Sequence, residues 1–232
     1  MRVVSLVPSA SETLLAWGIE PVAVTRFCEL GERFPTVGGT KDPDIDAIVA
    51  HAPDLVVMCD QENRRPDADA LTERGILIHV ISITHVDQVG QQMVSLATAL
   101  GLDESVGRAC GVLRETLPPV NLRAYVPIWK RPWMTINADT YGASLLRTVG
   151  VELVSANEPS RYPEFDLDCA RSANADVVLA PTEPYPFAER HRATLEAVAP
   201  MMLIDGQDLF WWGWRTPGAQ RRLRDRLAAI RG

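Results

Sequence analysis

The sequence predicts an α/β fold of two lobes, each built on a parallel sheet, joined by a long backbone α-helix. Three observations predict it. First, one unit occurs twice: Asp44-Ile45-Asp46 is followed ten residues after its first Asp by Asp54-Leu55-Val56-Val57, and Asp166-Leu167-Asp168 is followed at the same distance by Asp176-Val177-Val178-Leu179. Upstream of each copy, the stretch Leu14 to Glu20 is answered by Leu145 to Glu152, one residue longer. Second, short apolar runs alternate with helical patterns, which argues for parallel strands covered on both faces. Third, helical spacing persists from Asp87 to Leu117: Val89, Met93, Leu96, Ala97 and Leu100, then, past Gly101, Val106, Ala109, Cys110 and Leu113. Pro118-Pro119 ends that run. Thirty residues of near-continuous helix would reach about 45 Å. The expected boundaries are an N-terminal α/β lobe at 1–86, a connecting helical segment at 87–119 and a C-terminal α/β lobe at 120–232.

The elements follow in order. Val3 to Val7 reads as a buried strand, and Pro8-Ser9 leads into a helix in which Ser9 and Glu12 have capping-box spacing and which Gly18 stops. Val22 to Thr25 is a second strand. After a loop over 26–41, Asp42-Pro43 opens a helix, with Pro43 in its first turn and Asp44 and Asp46 near its positive end. Leu55 to Met58 is a strand, Ala68 to Arg74 a helix and Leu77 to Ile81 a strand. The second lobe restarts with a strand from Ala124 to Ile128 and a helix from Thr140 to Val149. Strand Glu152 to Val154, helix Asp166 to Ala173, strand Val177 to Ala180, a helix around Ala188 to Val198 and strand Met201 to Ile204 follow. Arg221, Arg222, Arg224 and Arg226 alternate with Leu223 and Leu227, the wet face of a terminal amphipathic helix.

Composition narrows the function. A net charge of −7 over 232 residues argues against a general nucleic-acid binder, since phosphate contacts need clustered Lys and Arg. Cys28, Cys59, Cys110 and Cys169 are scattered without a Cys-x-x-Cys pair, which reads as free thiols. The N-terminal apolar run is too short for a signal peptide, and no stretch is long enough to span a bilayer. As written, the chain is expected in the cytoplasm, or outside it if a leader was trimmed.

Function is expected in a cleft between the two lobes. In a parallel sheet, the loops after strand C-termini line the binding crevice. Those loops carry Trp129 and Trp133 after one strand and Trp211-Trp212-Gly213-Trp214 after another, which suits a flat or bulky apolar ligand. Trp17, beside Leu14 on a helix face, reads as core. Pro8, Ser9, Phe27, Cys59 and Asp60 follow the first-lobe strands, and backbone N–H groups near Ser9 suit a polar ligand group. Val37 to Lys41 lacks the spacing of a phosphate loop. His51, His79, His85 and His191 show no paired ligand spacing, and no catalytic motif is present. Neither an enzyme nor a resident metal is expected.

The run Arg2 to Gly18, with Ser5-Leu6-Val7-Pro8-Ser9 at its heart, resembles the helical-backbone metal-receptor family, as do Val37-Gly38-Gly39-Thr40, Ala52-Pro53-Asp54-Leu55-Val56-Val57 and the connecting segment. These are class III substrate-binding proteins of cobalamin, siderophore and haem ABC transporters. The resemblance implies two Rossmann-like lobes, a cobalamin-like corrinoid ligand, no cofactor of the protein's own, a monomer without membrane insertion, and an ABC permease as partner. By position it implies Tyr162, Trp133 and Phe27 as aromatic ligand contacts. Cys59 and Val80 stand where related proteins carry tryptophan. It implies permease docking through one acid per lobe, Asp168 in the second, while the first-lobe position holds Arg65, with Glu62 nearest. A ferric siderophore or haem is the alternative ligand, with Arg26, Lys41, Lys130 and Arg131 as candidate anion partners. A cytoplasmic corrinoid-handling accessory protein or enzyme is a further alternative.

Overall fold

A computed structural model describes residues 1–28, 33–111 and 118–230. The chain resolves into two compact units: Met1–Ile83, Gln88–Gly111 and Trp212–Trp214 form one, and Thr84–Asp87, Val112–Trp211 and Arg215–Gly232 the other.

The first unit contains β1 (Val3–Ser5), α1 (Pro8–Ala16), β2 (Ala23–Val24), α2 (Ile45–Ala50), β3 (Leu55–Cys59), α3 (Arg65–Glu73), β4 (Leu77–Ile81), α4 (Val89–Ala99) and α5 (Glu104–Arg108). Its strands are all parallel, in the order β2-β1-β3-β4. β1 and β3 are buried along their whole length, as their unbroken Val-rich runs require. Val4, Leu6, Val56 and Met58 meet Ile48 and Leu71 in one core cluster.

The second unit repeats the plan. It has β5 (Leu122–Tyr125), α6 (Tyr141–Thr148), β6 (Val151–Leu153), α7 (Leu167–Ser172), β7 (Val177–Pro181), α8 (Arg192–Leu195), β8 (Met201–Ile204), α9 (Gly206–Phe210) and α10 (Thr216–Ala228). The order β6-β5-β7-β8 is that of the first sheet. The duplication extends to single hydrogen bonds. Asp44 caps α2 through the Ala47 N–H, and Asp166 caps α7 through the Cys169 N–H. Asp54 accepts from the Arg2 N–H at 2.6 Å, and Asp176 from the Arg123 N–H at 2.7 Å. Gly18 and Gly150 end α1 and α6 with φ of +76° and +84°, the left-handed geometry a helix stop requires.

Several local expectations need correction. The N-cap of α1 is Val7, not Ser9, and its side chain makes no capping bond; Pro8 occupies the first turn. Asp44 rather than Asp42-Pro43 starts α2. The strand expected to run from Ala124 to Ile128 ends at Tyr125, because Ile128 and Trp129 turn back to bond Met134. The helix expected around 188–198 is a short 3-10 turn followed by α8.

The largest difference lies in the connecting segment. Residues 87–111 do not form one rod: α4 stops at Ala99, Gly101 turns the chain with φ +73°, and α5 packs on α4. A Cβ on Gly107 would come within 2.4 Å of the Val94 backbone N, so only glycine permits this approach. A helix that doubles back keeps the same apolar period as a straight one, which is why the pattern alone read as continuous. Leu113 and the remainder of the expected helix over 112–117 lie outside the described residues.

Candidate functional site

The carboxyl ends of the β5 and β7 strands launch the loops that matter most. After β5 the chain forms a tight excursion over 126–139, pinned by Ile128 N–H to Met134 O at 2.8 Å and Met134 N–H to Trp129 O at 3.2 Å. Met134 also bridges Glu164, and the Phe165 N–H donates to Trp133 O at 2.9 Å. These bonds hold the Trp129–Trp133 loop beside the segment carrying Tyr162. Beneath it, Thr135 Oγ1 donates to Val126 O and Ser155 Oγ to Ile136 O, satisfying buried backbone acceptors.

The loop after β7 completes a wall of rings. Trp129 meets Tyr185 edge-on with centroids 5.6 Å apart, Tyr185 lies 4.7 Å from Phe187, and Phe187 stacks on Trp133 at 6.1 Å with planes 6° apart. Trp129 remains 45% exposed and Tyr162 46%, so substantial ring area faces water. Edge-on and offset contacts of this kind favour rigid placement over collapse. Lys130 Nζ sits 5.6 Å from the Trp133 centroid, a cation–π distance.

His191 lies buried behind this wall, in edge contact with Tyr185 and Phe187. Its Nδ1 accepts from the Ala188 N–H at 3.1 Å. Burial, with Arg190 and Lys130 nearby, pushes its pKa below the ordinary histidine range. The neutral ring therefore carries its proton on Nε2. Tyr185, Phe187 and His191 were missed at the level of sequence. The signal was the same strand-end rule that singled out Trp129, applied to Tyr185-Pro186-Phe187 after β7.

The first unit supplies polar loops. Cys59 N–H donates to Asn63 Oδ1 at 2.8 Å, and Asn63 Nδ2 donates to Thr40 O at 2.9 Å, tying the loop after β3 to the Gly38-Gly39-Thr40 turn. Asp60 is exposed and accepts from Ser82 Oγ at 2.6 Å. Burial, together with Glu62, pushes the Cys59 thiol up to about 12, so it holds its proton and presents no thiolate. Phe27 is exposed, with Arg26 over its ring at 5.0 Å. Arg26 itself is bound to both carboxylate oxygens of Asp42.

The structure thus exposes Phe27, Asp60, Trp129 and Tyr162 and leaves Pro8, Trp133 and Trp211 half-buried. Trp211 lies under the Arg215 guanidinium at 5.6 Å. Three further expected ligand contacts are buried. Ser9 is buried in α1, with its carbonyl accepting from Thr13 Oγ1. Cys59 is buried. Trp212 is 4% exposed and belongs to the packing of the first unit. Of the expected docking acids, Asp168 is 85% exposed and paired with Arg171 at 2.7 Å. Glu62 is half-buried, and burial raises its pKa against the pull of Lys41. Among the described residues, no cluster of His, Cys, Asp and Glu has the makings of a metal site, and no helix is long and apolar enough to cross a membrane.

No protein-family model matches the chain. The chain is 24% identical over 189 residues to the vitamin B12-binding protein of Salmonella choleraesuis (strain SC-B67), covering 77% of this chain and 71% of that one. It is 22% identical over 191 residues to the vitamin B12-binding protein of Yersinia pestis (strain Pestoides F), covering 77% and 68%. Among solved structures, the periplasmic vitamin B12 binding protein BtuF of Vibrio cholerae matches with a TM-score of 0.77 at 16% identity, covering 99% of this chain and 97% of that one. The periplasmic haem-binding protein BhuT in complex with two haems matches with a TM-score of 0.83 at 18% identity, covering 100% and 99%. The chain has the two-lobe α/β fold of these binding proteins.

Proposed function

We propose that this chain is a non-catalytic substrate-binding protein whose ligand is a tetrapyrrole of corrinoid or haem type, delivered to an ABC permease. The observation that carries the reading is the exposed Trp129 ring, set edge-on to Tyr185 and backed by the Phe187–Trp133 stack that joins the core of the second unit, in the loops at the carboxyl end of a parallel sheet. Relatives that bind vitamin B12 and structural neighbours that bind haem support a ligand of this size and shape. A ferric siderophore is less favoured, because of the four expected cations Arg26 is bound by Asp42 and Lys41 donates to the Gln61 carbonyl. Corrinoid handling as a cytoplasmic enzyme lacks support, because the buried thiols and the neutral His191 form no nucleophile–base pair in the wall.

Titration of the purified protein with cyanocobalamin, cobinamide and haemin, followed by tryptophan fluorescence, tests the reading. Saturable quenching by at least one is expected, since Trp129 is half-exposed in the wall. Absence of saturable quenching by all three overturns it. Asp168 is the acid of the second unit offered for permease docking, on the strength of its exposure.

A further inference from the structure

We infer that the ring wall selects for acid groups on its ligand: Lys130 and Arg190 are placed to receive peripheral carboxylates of a planar tetrapyrrole, so that the favoured guest is an anionic one. The inference rests on the proposed tetrapyrrole function and adds its charge.

Three features support it. Lys130, Arg131 and Arg190 form no ion pair among the described residues, although the chain as a whole carries more acids than bases. Their neighbours are taken: Glu189 is bound to Arg192, and Arg192 also holds Glu196. Two of the three are also fixed in place at the wall. Lys130 lies over the Trp133 ring at 5.6 Å, and Arg190 Nη2 donates to Pro186 O at 3.3 Å, within the Tyr185-Pro186-Phe187 segment. Both are close enough to His191 to act on its titration.

The energetics then decide. A flat ligand laid on the exposed Trp129 ring strips water from the adjoining cations, and a desolvated cation without a partner opposes binding. A ligand that brings a carboxylate to the same edge converts that penalty into a charge-assisted hydrogen bond. In the first unit Arg26 is already bound by Asp42, and Lys41 donates to the Gln61 carbonyl.

The test compares protoporphyrin IX with its dimethyl ester, which has the same ring and no acid groups, on the full chain. The acid is expected to bind at least tenfold more tightly, and its advantage is expected to shrink with added salt. In the double variant Lys130→Gln/Arg190→Gln, the ester should bind more tightly, because the desolvation penalty is gone, while the advantage of the acid falls to near onefold. Equal affinities for acid and ester in the unmodified protein overturn the inference and leave the proposed function standing. So does an advantage that survives the double variant. If no porphyrin and no corrinoid binds at all, the proposed function fails, and the inference falls with it.

Discussion

Replacing Trp129 by alanine separates ligand recognition from folding, because the ring is placed to do little for the fold. It is 45% exposed and makes one edge contact, with Tyr185 at 5.6 Å. Such a contact contributes about 1 kcal/mol. Trp129→Ala should therefore cost no more than about 1 kcal/mol of stability, a small shift in urea midpoint. In the complex the same ring would be covered by ligand, and losing a central aromatic anchor costs about 2 kcal/mol, roughly thirtyfold in Kd. Trp133→Ala is the control. That ring stacks on Phe187 at 6.1 Å, lies under Lys130 and is half-buried, so its loss should cost about 3 kcal/mol of stability before any ligand is added. Urea unfolding and calorimetric titration with the best ligand measure both quantities. An unchanged Kd for Trp129→Ala, or a stability loss equal to that of Trp133→Ala, would refute the assignment of Trp129 to the ligand face.

Three further outcomes are expected. Asp208 has a side chain only 7% exposed and accepts from Arg215 at 2.9 Å and Arg222 at 2.6 Å, so Asp208→Ala should destabilise by about 3 kcal/mol in urea, the partly exposed Arg222 moderating the loss. Burial raises the Asp208 pKa, yet the hydrogen bonds from Arg222 and Arg215 outweigh it and leave the carboxyl below 3.8. Its contribution is then complete above that pH and disappears as pH falls through the lowered value, which an acid titration of the urea midpoint will show against the alanine variant. His191 and His79 are both held below 6.5 by burial, so stability should decline as pH falls from about 7 toward 5 while the unfolded chain takes up protons first. His191→Phe should flatten part of that slope; an identical slope would show that His191 does not titrate differently in the folded state. Thiol labelling should reach Cys169 alone in the native protein, because Cys28, Cys59 and Cys110 are buried, and burial holds Cys59 and Cys110 near about 12. Cys169→Ser should abolish native labelling, whereas rapid labelling of a second thiol would contradict the burial of the other three.

Much of the fold was legible because its signals are local. Unbroken Val-rich runs at β1, β3 and β7 marked doubly covered strands, and Asp166 announced a helix start that its side chain does cap. The folding back of α5 onto α4 was not legible. It depends on a three-dimensional approach at Gly107, and a glycine in a helical pattern carries no mark of what lies opposite. The candidate site was half legible. Trp129 and Trp133 stood out by residue type, while Tyr185, Phe187 and His191 became recognisable only when ring distances joined them to those tryptophans. Trp212 differs from them: residue type marked it for the ligand, and the ring is packed inward.

The short strap Trp212–Trp214 is part of the first unit, with the Trp214 N–H bonded to Thr13 Oγ1 at 3.1 Å and Gly213 pressed so close to that hydroxyl that a Cβ would lie 2.2 Å from it. During synthesis, residues 1–111 leave the ribosome long before their last piece of scaffold has been translated. A gene fragment cut between the units would encode a body missing its clasp.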